Sequence, residues 1–161
     1  MIVSNTSPII VLGKQGVLEL LKNCFGKVII PQEVYNEIIK KEDSLETISL
    51  KKGIEEKWII IEETAINPII NTDNLGKGEK EAVSLAAKKK SILLIDDDNA
   101  RKYASLLRVE CRGTIYVLFL AVLKKIMDKI EAKEIFDNIV IEGFYVSTEV
   151  YSGFLSMLER L

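Results

Sequence analysis

Short apolar runs alternate with longer stretches in which apolar residues return every three or four positions. The runs are Met1-Ile2-Val3, Val28-Ile29-Ile30, Trp58-Ile59-Ile60-Ile61, Ile92-Leu93-Leu94-Ile95 and Val109-Glu110-Cys111. They are too short for buried helices and rich in β-branched residues, so they read as strands. Between them Val34, Tyr35, Ile38 and Ile39, and later Ala100, Tyr103, Ala104 and Leu107, recur at helical spacing. Strands alternating with helices predict an α/β fold: a three-layer sandwich with a central, mostly parallel sheet covered by helices.

End signals place the elements. Ser7-Pro8 is a helix start with Ser7 as cap, and Pro31 opens the helix after the second strand. Gly13 and Gly16 punctuate the first helical region, and Ser44 caps a helix expected through Glu56. Glu62 to Asn74 is polar, contains Asn67-Pro68 and is expected to be loop with a little structure. Gly113-Thr114 leads into a segment apolar nearly all round, Ile115 to Met127, which should be buried. Asp128 to Asn138 and Ser147 to Leu161 are two more helices, joined by a strand-like Val140 to Val146. No repeat or linker divides the chain, so residues 1–161 are expected to form a single domain, with 128–161 as a C-terminal helical extension.

Composition narrows the chemistry. The 161 residues carry 22 basic and 24 acidic side chains, a net charge of -2, so any polyanion site must be local. There is no histidine, which excludes Ser-His-Asp, Cys-His and His-ligated zinc sites. Cys24 and Cys111 lack metal-binding spacing and suit a reduced, cytoplasmic location. The N-terminus lacks a signal-peptide pattern, and no apolar run reaches the roughly 20 residues of a membrane helix.

Carboxylates and metals remain. The fourth strand stops on Asp96-Asp97-Asp98-Asn99, at the carboxyl end where open α/β sheets bind ligands. One of these acids caps the following helix; three side by side repel each other unless solvent or a cation separates them. Asn5 ends the first strand, where it either holds a turn or offers an oxygen to a ligand. Glu37 lies one turn beyond Glu33 on the third helical segment, where a solvated helix face is the better account of it. Glu79 and Glu81 fall in a first helical turn behind Gly76-x-Gly78, where the helix dipole is explanation enough. These glycines are no phosphate loop, because the G-x-x-x-x-G-K-[ST] pattern is missing. Lys88-Lys89-Lys90 suits a helix's last turn or a phosphate backbone.

Together, a strand ending in Asn5-Thr6-Ser7-Pro8, Glu37 after Pro31 and Val34, Glu79 after Gly76-x-Gly78, and a strand ending in Asp96-Asp97 resemble a PIN domain, in the branch related to VapC toxins. The resemblance spans nearly the whole chain and is looser over the final helices. It implies a Mg²⁺- or Mn²⁺-dependent ribonuclease whose catalytic and metal-binding residues fall on Asn5, Glu37, Glu79 and Asp97. Asp96 is a further ligand, and Ser7 and Asp98 are supporting residues. The family's first acid is here the neutral Asn5, which still offers an amide oxygen. Several carboxylates forced into one cleft are costly unless a divalent cation neutralises them.

The expected activity is thus hydrolysis of RNA phosphodiester bonds, with the chain as the toxin of a toxin-antitoxin pair, neutralised by a small protein and paired as a homodimer, as the resemblance implies. The alternative is a PIN-like nucleic-acid-binding module without turnover. Both call for a basic rim, for which Lys14, Lys88, Lys89, Arg101 and Lys102 are the candidates. A phosphatase or receiver domain fits less well. The first strand lacks a D-x-D-x-T nucleophile pattern, and the acids are spread over four elements.

Overall fold

A computed structural model describes all residues, 1–161. The strands are β1 (Ile2–Ser4), β2 (Val28–Pro31), β3 (Ile59–Glu62), β4 (Leu93–Leu94) and β5 (Cys111–Arg112). The helices are α1 (Thr6–Lys14), α2 (Leu20–Phe25), α3 (Gln32–Ile38), α4 (Leu45–Glu55), α5 (Lys77–Lys89), α6 (Asp98–Leu106), α7 (Thr114–Leu123), α8 (Lys129–Ile141) and α9 (Thr148–Arg160). The five strands form one sheet in the order β3-β2-β1-β4-β5, every pairing parallel.

Alternation along each strand divides the interior in two. Ile2, Val28, Ile30 and Leu94 point into the larger core, shared with α1, α2, α4, α7, α8 and α9. Val3, Ile29, Leu93 and Ile95 point into the smaller one, under α5 and α6. This is the three-layer α/β sandwich expected from the pattern. Strands covered on both sides by helices need apolar residues at every position, which is why they read as continuous runs.

Several details differ from the sequence reading. Helix α1 begins at Thr6 with Asn5 at its N-cap, and Pro8 lies within its first turn. The ring is tolerated because the first helical amides have no intrahelical partner. Gly13 does not end α1. A Cβ there would come within 2.7 Å of the Glu46 backbone, so the glycine lets α1 and α4 cross in close contact. The little structure expected within Glu62 to Asn74 is the exception and agrees: Pro68–Ile70 makes a 3-10 turn that buries Ile70. Val140 to Val146 is not a strand. Helix α8 runs through Ile141, and Gly143, at φ +103, turns the chain back toward α9. The last two helices pack into the larger core, where Phe136 lies 4.6 Å from Phe154 and 5.2 Å from Tyr151, ring centre to ring centre. Cys24 and Cys111 are both free thiols. No helix is long and apolar enough to cross a membrane.

Candidate metal and nucleic-acid site

The chain winds outward from β1 through β2 to β3, then returns to lay β4 and β5 on the other side of β1. The loops after β1 and β4 therefore diverge, leaving a crevice at the carboxyl edge of the sheet. An open cleft of about 600 Å³ occupies it, lined by Asn5, Thr6, Ser7, Glu37, Glu79, Asp96 and Asp97, with Ile10, Val11, Gly76, Phe144 and Tyr145 completing the wall. Residues far apart in sequence meet here because parallel strands all end on the same edge.

Asn5 sits at the seam. Its backbone amide donates to Leu94 O at 2.9 Å, joining the end of β1 to the end of β4. It stands at the N-cap of α1, yet its side chain caps nothing. The residue is only 6 % exposed, and Oδ1 is fully buried without a hydrogen-bond partner. A buried carbonyl left unpaired costs about 1–3 kcal/mol. The turn therefore does not explain Asn5, whereas a ligand for Oδ1 does.

Glu37 reaches the cleft from α3, and Thr6 Oγ1 donates to its Oε2. The helix beneath must approach closely. A Cβ on Gly78 would lie 2.6 Å from Glu37 Oε1, so the second glycine of Gly76-x-Gly78 makes room for a carboxylate. Glu79 turns back to accept the Gly76 amide at 3.1 Å, half of a capping box. Its carboxyl is pushed above the ordinary glutamate range mainly by burial. The Gly76 amide opposes the shift, and the charges of Asp97 and Glu37 add to it. Glu81, two residues on, lines no part of the cleft. It is 8 % exposed and accepts the Glu33 amide at 3.1 Å, tying α5 to the start of α3.

The three aspartates have different surroundings. Asp96 accepts three hydrogen bonds: from the Thr114 amide at 2.8 Å, the Thr114 hydroxyl at 2.7 Å and the Ser7 hydroxyl at 2.9 Å. It thereby joins the end of β4 to the first turns of α1 and α7. A Cβ on Gly113 would lie 2.9 Å from Asp96 Oδ1, so this glycine too makes space for a carboxylate. Asp97 caps α6, accepting the Ala100 amide at 2.7 Å with Oδ1, and faces the cleft. Asp98 is exposed in the first turn of α6, outside the cleft lining. Ser7 lines the cleft with its hydroxyl committed to Asp96.

No group of three or more acidic or thiol side chains lies close enough to hold an ion directly. The donor set nonetheless fits a hydrated divalent cation. Such an ion keeps several waters and needs few protein oxygens. The unpartnered Asn5 Oδ1 is an oxygen donor held out of bulk water, and a cation would relieve the repulsion that Glu79 experiences from Asp97 and Glu37.

None of the five candidate rim residues lines the cleft. Arg101 donates to Ile95 O through Nε at 3.2 Å and Nη2 at 2.9 Å, clamping the end of β4. Lys89 pairs with Glu62 at 2.9 Å. Lys88 and Lys102 are exposed on α5 and α6. Lys14 lines a small cavity that adjoins the cleft through Ile10, Val11 and Phe144 and also contains Glu142. Thr6, Phe144 and Tyr145 carry no signal in the chain reading. Thr6 is hidden inside a helix-start motif, and the two aromatics enter the cleft from a connector more than 130 residues after Asn5.

The PIN-domain family model matches residues 1–160, and the chain belongs to that family, whose members are generally nucleases that use divalent metals and act on nucleic acid. No curated protein sequence matches the chain. Among solved structures it is similar to a PilT N-terminus domain protein from the hyperthermophilic archaeon Sulfolobus solfataricus P2. The two are 18 % identical over 71 % of this chain and 87 % of that one, with a TM-score of 0.49.

Proposed function

We propose that the protein is a Mg²⁺- or Mn²⁺-dependent endoribonuclease that hydrolyses RNA phosphodiester bonds at the cleft between β1 and β4. The observation that carries this reading is the buried, unpartnered Oδ1 of Asn5, a residue that lines the cleft together with the carboxylates of Glu37, Glu79, Asp96 and Asp97. Asn5, Glu37, Glu79 and Asp97 would hold the ion, with Thr6, the Gly76 amide and the Ala100 amide fixing the three acids. A bound divalent cation supplies charge neutralisation for the scissile phosphate and acidifies its water. Asp96 and Ser7 keep the two flanking loops in register. An alternative role for Asp96 as a direct ligand requires its oxygens to leave the donors of Thr114 and Ser7. The toxin role, a small neutralising protein and pairing as a homodimer belong to the same proposal and rest on the family resemblance alone.

A second reading, a nucleic-acid-binding module without turnover, is favoured by one observation, the neutral amide at Asn5 where the family's first acid falls. The test is cleavage of labelled single-stranded RNA in Mg²⁺ or Mn²⁺, beside an EDTA control and the Asp97→Asn variant. Cleavage abolished in both controls supports the nuclease. Intact RNA held in a salt-sensitive complex rejects it in favour of the binding module.

A further inference from the structure

The cleft has one wall that its acids do not explain. Gly143, in the left-handed region at φ +103, ends α8 and turns the chain into the connector Phe144–Val146, after which Ser147 caps α9 by accepting the Val150 amide at 3.2 Å. Both ends of this short segment are thus fixed. On it, Phe144 is half-buried against the larger core and its amide donates to Ile139 O at 3.1 Å. Tyr145 is 87 % exposed and makes no hydrogen bond through its hydroxyl. Its ring contributes almost nothing to the core, yet it borders the cleft that holds Asn5, Glu37, Glu79 and Asp97. Past Phe144, an adjoining small cavity that shares Ile10 and Val11 holds both Lys14 and Glu142, so no unopposed positive charge continues this wall.

An exposed aromatic face on a connector pinned at both ends thus borders a cleft whose carboxylates call for a cation. That pairing matches one unit of a single strand, a phosphate with its base beside it. Resting on the nuclease reading, we propose that Tyr145 is a stacking platform for an unpaired nucleobase next to the phosphate in the acid cleft. Stacking on aromatic side chains is how unpaired bases are commonly held, and it tolerates any base because each has a π face. A base inside a duplex is already stacked and cannot take this place, so the site selects single strands, loops or bulges. Phe144 acts through Tyr145, holding the connector against α8.

The test uses the full chain and a 5′-labelled single-stranded RNA, with the same RNA carrying one abasic nucleotide at each position in turn. Binding is read by fluorescence anisotropy in Ca²⁺, an oxygen-seeking divalent ion that offsets the cleft's carboxylates, and cleavage in Mg²⁺ beside it. Tyr145→Ala is expected to weaken binding of the intact RNA by roughly 5- to 100-fold, the range of one base–aromatic stack, while Tyr145→Phe stays within about twofold. One abasic position should cost the wild type a similar factor and cost Tyr145→Ala almost nothing more. Equal binding by wild type and Tyr145→Ala, or an abasic penalty of the same size in both, overturns the proposal. Cleavage without this coupling removes the stacking site and leaves the nuclease standing; coupling without cleavage does the reverse.

Discussion

Replacing Asp96 by Asn separates two roles that a carboxylate at this position can have. In the structure both oxygens are engaged, with the Thr114 amide, the Thr114 hydroxyl and the Ser7 hydroxyl all donating at 2.7–2.9 Å, and Thr114 is completely buried. A hydrogen bond to a charged acceptor contributes about 1.5–3 kcal/mol, against about 1 kcal/mol for a neutral one. Asparagine keeps an oxygen for the Thr114 amide, but its NH₂ group faces two hydroxyls that must reverse from donor to acceptor. Losing the charge at three bonds, less some relief of repulsion from neighbouring Asp97, leaves a net loss of about 1–3 kcal/mol. Asp96→Ala, which strands the buried amide and hydroxyl of Thr114, should lose about 3–5 kcal/mol. Urea denaturation in EDTA measures both, with the denaturant slope expected to stay constant. If Asp96→Asn is as stable as the wild type or more so in EDTA and binds Mg²⁺ poorly, the clamp argument is wrong. Asp96 is then a ligand whose charge burdens the metal-free fold.

Three further outcomes follow from the site and its frame. Gly78→Ala should leave stability unchanged or raise it by up to about 1 kcal/mol, as expected for Ala replacing Gly in a helix, while weakening divalent binding because the new Cβ displaces the Glu37 carboxylate; calorimetry showing unaltered Mg²⁺ affinity contradicts this. Asn5→Asp should bind Mg²⁺ roughly tenfold or more tightly, since a charged oxygen replaces a neutral one at the same place, and should be less stable in EDTA, where that charge has no partner; equal affinities by calorimetry would refute the ligand role of residue 5. Away from the cleft, Asp137 is held below its ordinary value of 3.8 by hydrogen bonds from Lys133 and then Tyr151. Because its folded value is depressed, its contribution to stability is present above pH 3.8 and disappears as pH falls through the folded value. Tyr151→Phe should move the Asp137 midpoint, followed by carboxyl-carbon NMR, up toward 3.8, and a stationary midpoint contradicts the link.

Much of the frame was legible because it rests on local signals. The apolar runs that became β1 to β4 are continuous, as suits strands with helices on both faces, whereas β5 at the edge holds Cys111 and Arg112. Ser44 caps α4 through the Thr47 amide, as its position before a helical pattern implies. The boundaries that moved did so for tertiary reasons. Ser7 was expected to cap α1, but its hydroxyl is drawn to Asp96, 89 positions away, and Asn5 takes the cap position. Gly13 reads as a break and is instead a crossing point, because the α4 backbone lies against it.

The candidate site divides along the same line. Periodicity and helix-start residues place the strand ends, and with them the carboxylates after β4, at one edge of a parallel sheet, since strand direction and the right-handed return of the chain leave those ends together; that Glu37 and Glu79 join them was implied only by the resemblance to a PIN domain. Only packing in three dimensions distinguishes those acids from one another. Glu79 meets the cleft while Glu81 caps α3, Asp97 faces the cleft while Asp96 is consumed by Thr114 and Ser7, and Asn5 is left with a buried oxygen and no partner. Phe144 and Tyr145 belong to the same group, brought to the cleft by the turn at Gly143. Which polar atom is satisfied and which is left free depends on contacts between residues tens of positions apart, and no local pattern encodes that.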